Sequence, residues 1–249
     1  MDNTENDVLT IINGIVTKCK EGLVNLVIPD GVTEIGVRAF SKCVERLESV
    51  VIPKSVTKID SSAFYGCGHL KSVVIGEGVK RILSDAFWVC ESLSSMVIPV
   101  GVTKIGDEAF GACISLKSVE IPDGVTEISE FAFKYCTSLT SVTIPSSVKT
   151  IGMFAFADCT ALSSVVIQNG VTEIGYGVFT RCKSLASVEF GEGLTEIGNQ
   201  AFLGCKSLTE IKYNGTMQQW EAVEKGKDLN YGISATIVKC TDGEVKLEQ

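Results

Sequence analysis

The chain has 249 residues, 45% of them hydrophobic, which is enough to bury a sizeable core and excludes intrinsic disorder. A formal net charge of −8, with basic residues scattered singly, excludes bulk-charge attraction to nucleic acid or to an anionic membrane. Apolar residues come in short bursts broken by polar ones, so no membrane insertion is expected.

The chain begins MDNTENDVLTIING, which is acidic and lacks the basic start and apolar core of a secretory leader. The expectation is either a cytoplasmic protein or one whose leader has been removed. Residues 8–12 and 14–17 read as two short strands around Asn13-Gly14, a strong hairpin signal. They predict an N-terminal cap over residues 1–25.

Beyond it one unit recurs. Residues 93–115 read LSSMVIPVGVTKIGDEAFGACIS, the next line is LKSVEIPDGVTEISEFAFKYCTS, and the next LTSVTIPSSVKTIGMFAFADCTA. Leucine opens the unit at Leu47, Leu70, Leu93, Leu116 and onward to Leu208, in steps of 23 residues. A fixed period of this length marks a solenoid, in which each coil packs only on its neighbours. Residues 26–207 make eight such coils. In each, a triplet such as Val119-Glu120-Ile121 alternates inward and outward as a short strand, and Pro or Gly ends it. Pairs such as Asp123-Gly124 then suit a turn, a second inward pair such as Val125 and Ile128 follows, and Ala-Phe-x-x-Cys closes the coil. The expected fold is an α/β-type repeat solenoid, strand-rich, with short helical or 3₁₀ closing turns and a cap at each end. Stacking aligns Phe40, Phe64, Phe87 and their equivalents up to Phe202 as a buried aromatic spine.

After Leu208 the pattern fails, which predicts a C-terminal cap over residues 208–249. It reads as a last strand at 211–213, a helix at about 216–225, and a hairpin around Asp242-Gly243, with Trp220 plugging the open core. Of ten cysteines, eight share one repeat position, from Cys43 and Cys67 to Cys205. They are expected as a ladder of reduced, buried thiols. Adjacent rungs are close enough to bridge, but parallel side chains would have to turn toward each other. Cys19 and Cys240 lie at opposite ends of a stack about 40 Å long and cannot bridge.

The phrase L-x-S-V-x-I-P-x-x-V-T-x-I-G-x-x-A-F-x-x-C resembles the BspA-like subfamily of leucine-rich repeats, over residues 23–207. That resemblance implies a right-handed curved stack with a sheet on its concave side. It also implies a surface or secreted adhesion protein whose partner is a host matrix or cell-surface protein. The family's repeat carries no catalytic residues, so none is implied here.

The residues offer little chemistry of their own. His69 is the only histidine and has no marked partner, no phosphate-binding glycine loop is present, and zinc spacings are absent. No enzyme, metal or cofactor is expected, although a pocket around Trp220 would reopen the enzyme reading. Asn214-Gly215-Thr216 is a formal glycosylation sequon. What remains is surface. Val51, Val74 and Val97 stand in an outward strand column and make the N-terminal half of the concave strip apolar, unless they only reflect strand preference. Lys58, Arg81 and Lys104 form a basic patch that would steer an acidic partner, with a solvated charge face as the competing reading. Phe131 and Phe154, with Tyr176 beside them, break a column of polar residues, as do Tyr65 and Trp88 in another. These rings are expected at least half exposed, as interaction hot spots or as pairs stacked along the convex wall. The functional expectation is a monomeric, protein-binding solenoid, with an intracellular scaffold for protein assembly as the alternative.

Overall fold

The structure is a computed structural model and describes residues 4–5 and 8–247. The chain winds into a strand-rich β-solenoid of about 10 turns with almost no helix. Each coil contributes a long strand such as Ser72–Ile75 and a two-residue strand such as Arg81–Ile82. Alternation puts Val73 and Ile75 inside and Ser72 and Val74 outside, as the pleat requires. Neighbouring long strands pair parallel and in register, Ser49 with Ser72 and Val51 with Val74. Their ladder has two breaks, between Ser72–Ile75 and Ser95–Val97 and between Ser118–Glu120 and Ser141–Ile144. The short strands instead form one continuous 12-stranded sheet.

The closing segments differ from expectation. The Ala-Phe-x-x-Cys stretch is neither α nor 3₁₀ helix but a chain of hydrogen-bonded turns. Glu108, Phe110 and Ala112 donate their N–H groups to Glu130, Ala132 and Lys134 of the next coil, at 2.7–2.9 Å. Alternate residues can face the neighbour only because the backbone turns left-handed twice per coil, at Glu108 (φ 53°) and Ala112 (φ 55°). A helix would keep its hydrogen bonds within the coil, whereas this conformation spends them between coils.

The eight spine phenylalanines are fully buried, and successive rings stack with centroids 4.4–5.7 Å apart. Each repeat thiol from Cys90 to Cys205 donates to a phenylalanine carbonyl of the preceding coil at 3.0–3.3 Å. Cys113, for example, bonds Phe87. Each of these carbonyls also accepts the N–H of the cysteine in its own coil, so the thiol supplies its second hydrogen bond and ties neighbouring coils together.

At the N-terminus, Leu9–Ile12 and Ile15–Cys19 form an antiparallel hairpin whose second strand pairs parallel with Glu34–Ile35. Here the cysteine reading is corrected. Cys43 is not a free thiol but is disulfide-bonded to Cys19, across a Cα separation of 6.3 Å. The hairpin replaces a coil, so Cys19 meets the ladder from outside its register and no pair of parallel rungs has to turn. The remaining eight cysteines are free.

At the other end, the expected helix is shorter. It spans Met217–Ala222, with Thr216 and Gln219 forming a reciprocal capping box. Val223 turns extended, which lets Glu224–Lys225 pair with Glu196–Ile197 and continue the short-strand sheet. Ile237–Cys240 likewise continues the long-strand ladder and folds back on Gly243–Lys246. Trp220 is 2% exposed and packs on Phe190 and Tyr213, beyond the last spine ring.

Candidate functional site

The turn face carries the aromatic side chains. Tyr65 and Trp88 stack at 5.0 Å, and Trp88 leans on to the next coil, where a β-carbon at Gly111 would lie 2.7 Å from its Cδ1. Phe131 and Phe154 stack at 5.5 Å, and Phe154 leans in the same sense over Gly177. Tyr176 meets Phe154 edge-on at 5.1 Å and donates its hydroxyl to Gln200. Glycine in the following coil is what gives each leading ring its seat.

The rings are therefore less open than the sequence implies. Tyr65 is 43% exposed and Tyr176 38%, while Trp88, Phe131 and Phe154 are half-buried. Stacked along the axis, they cover one another's faces and turn edges to solvent. One cation belongs to this band that the spacing did not mark. Lys134 places Nζ 4.9 Å from the Phe131 and Tyr135 rings and 5.5 Å from Phe154. The signal was present, since Lys134 stands in the Trp88 column one coil past Gly111, but residue type alone does not tell a caged ammonium from a solvated one. Next to Tyr135 in its own column, Asp158 accepts a two-pronged pair from Arg181 at 2.7 Å.

On the long-strand face, Val27, Val51 and Val74 pair in one row, and Val97 holds the equivalent position on the next coil, across the first break in the ladder. Val97 is 68% exposed and Val27 71%. The row ends where Val97 pairs with Glu120.

The basic patch is not a free positive field. Lys58 pairs with Glu34 at 2.8 Å and Asp60 at 3.0 Å, hydrogen bonds that hold its pKa above the ordinary lysine value. Lys104 pairs with Glu127 at 2.8 Å. Only Arg81 of the three lacks an ion pair among the described residues. Charges that look like a patch in sequence are neutralised by the coil beside them.

A 460 Å³ groove does lie against Trp220, lined by Glu221, Lys225, Asp228 and Val245 among others. Its distinctive residue is Lys225, whose ammonium donates to the carbonyls of Trp220 and Val223 at 2.5 and 2.6 Å and lies 4.8 Å from the indole. Burial pushes its pKa down. Those bonds cap the end of the helix, and the lining holds no histidine, cysteine or serine. His69 is exposed and far from this groove in sequence. Among the described residues, no group of three metal-ligating side chains converges and no helix is long and apolar enough to cross a membrane.

Residues 10–137 and 103–223 match the BspA type leucine rich repeat region, in six copies. The chain belongs to the BspA-type leucine-rich repeat family. Solved relatives agree with the architecture. The T. pallidum leucine-rich repeat protein is 26% identical with a TM-score of 0.55, over 93% of this chain and 89% of that one. A leucine-rich repeat protein from Eubacterium ventriosum is 22% identical with a TM-score of 0.56, over 89% and 69%. The pneumococcal vaccine antigen PcpA is 20% identical with a TM-score of 0.55, over 94% and 78%. The latter two likenesses are of fold alone. No curated protein matches this BspA-type chain.

Proposed function

We propose that this BspA-type solenoid is a non-enzymatic protein-binding module, secreted or held at a cell surface, whose partner is a host matrix or cell-surface protein. The observation that carries the reading is the turn-face band. Phe131, Phe154 and Tyr135 set partly exposed rings around Lys134, Tyr176 packs edge-on against Phe154, and Phe131 and Phe154 stand in a column that the repeat otherwise fills with polar residues or glycine. Pre-organised aromatic side chains around a cation have the composition of interface hot spots. The Cys19–Cys43 bridge supports export, since disulfides persist in oxidising compartments. It weighs against the intracellular scaffold, for which the buried free thiols would otherwise be natural. The hairpin of Leu9–Ile12 and Ile15–Cys19 at one end and the helix and hairpin from Met217 to Lys246 at the other break the repeat, which supports reading the ends as caps and the protein as a monomer.

A second surface has its own observation in its favour. The row from Val27 to Val97 is the most exposed apolar strip on the long strands. Binding to a panel of purified host matrix proteins separates the two. Wild type is expected to capture a partner, and Phe131→Ser/Phe154→Ser is expected to lose it while keeping its thermal unfolding midpoint. Loss instead in Val74→Ser/Val97→Ser would move the site to the long-strand face, and no capture by wild type would refute the adhesion reading.

A further inference from the structure

Beside the aromatic band the short-strand sheet carries a trough. Its floor is the column that follows each inward isoleucine, Gly106, Ser129, Gly152 and Gly175. At Gly152 and Gly175 a β-carbon would fall 2.7–2.8 Å from backbone atoms of the preceding coil, so the stack itself excludes side chains there. The floor, bare at its glycines and carrying the buried Ser129, whose hydroxyl donates to Glu127, lies between two walls. One is the outward column of Glu127, Thr150 and Glu173, and the other is Asp107, Glu130, Met153 and Tyr176. The open trough has a volume of 530 Å³.

The walls have a definite chemistry. Met153 and Tyr176 are both 38% exposed and give one end an apolar lip continuous with the Phe154 ring. The charged wall residues are all acidic. Glu127 is paired with Lys104, but Asp107, Glu130 and Glu173 have no ion pair among the described residues. An apolar lip beside unneutralised carboxylates in a narrow trough is complementary to an extended chain that alternates basic and apolar side chains. We propose that this trough docks a lysine- or arginine-bearing extended segment of the protein partner. Arginine or lysine head groups meet Glu130 and Glu173, and their aliphatic stems or an apolar neighbour cover Met153 and Tyr176. The proposal rests on the protein-binding reading above and names the chemistry of the bound segment.

The test uses the full chain and two fluorescent peptides, one alternating lysine with valine and one alternating glutamate with valine. The basic peptide is expected to bind wild type and to bind Glu130→Gln/Glu173→Gln roughly tenfold more weakly, with affinity falling as salt is raised. The control Glu77→Gln/Glu91→Gln removes the same charge from exposed sites elsewhere and is expected to bind like wild type. Equal weakening in both double variants would reduce the effect to net charge and overturn the proposal, as would preference for the acidic peptide. Concentration-dependent dimerisation that Glu130→Gln/Glu173→Gln abolishes would make the occupant a second copy and also overturn it. Matrix-protein capture that survives Glu130→Gln/Glu173→Gln but not Phe131→Ser/Phe154→Ser would remove the trough and leave the protein-binding reading standing.

Discussion

At the scale of single residues, the left-handed positions govern what the repeat tolerates. Val89 has φ 57°, an unfavourable conformation for a β-branched residue, whereas Gly66 and Gly204 occupy the same column without cost. Val89→Asn is expected to raise stability by about 1 kcal/mol, read as a higher denaturant midpoint; a lower one would show that Val89 packing outweighs its backbone strain. Phe131 and Phe154 also lie at left-handed positions. Arg38, Ser62, Asp85, Glu108 and Gln200 share that conformation in the same column, so the side chain and not the backbone sets these two aromatic residues apart. In the spine, Phe110→Ala, between two stacked rings in a fully buried site, is expected to cost about 3–5 kcal/mol.

At the scale of elements, the N-terminal hairpin is tied to the first coil by strand pairing and by a disulfide. The Cys19–Cys43 bridge closes a span of 24 residues, so Cys19→Ser or reduction is expected to remove about 3 kcal/mol. Amide hydrogen exchange should locate the loss in the hairpin and first coil. Protection there that is insensitive to reductant would mean the hairpin is held by packing alone. The repeat was legible because every coil meets the same two neighbours, so spacing alone placed Phe40 to Phe202 inside and Val74 and Val97 outside. Failures occurred where the outcome depends on which neighbour a side chain turns to, within its column or on its own coil. Lys58 and Lys104 read as a patch until Glu34, Asp60 and Glu127 are set beside them. The same holds for Cys19, since nothing in a 23-residue period says where a hairpin that is not a coil will place its thiol. Helical closing turns were expected from Ala-Phe-x-x-Cys because the left-handed residues there are mostly not glycine.

At the scale of the whole molecule, seven fully buried thiols are a shared alkaline weakness. Burial raises the thiols of Cys67 and Cys113 from 9.0 to about 12, and the other buried repeat thiols are also shifted up. The unfolded chain therefore loses these protons first. Their contribution to stability is complete below about pH 9 and falls as pH rises toward 12, by about 1.4 kcal/mol per pH unit for each thiol ionised only when unfolded. Unfolding midpoints are expected to be flat from neutral pH to about 9 and then to drop steeply; a flat profile to pH 11 would contradict the buried ladder. The central claim, that the turn face of the C-terminal coils is a protein-binding surface, is tested most directly by hydrogen exchange of the full chain with and without a matrix protein it captures. Added protection is expected to concentrate around residues 130–135, 153–158 and 176–181. Protection confined to the long strands, or no matrix protein captured at all, would contradict it.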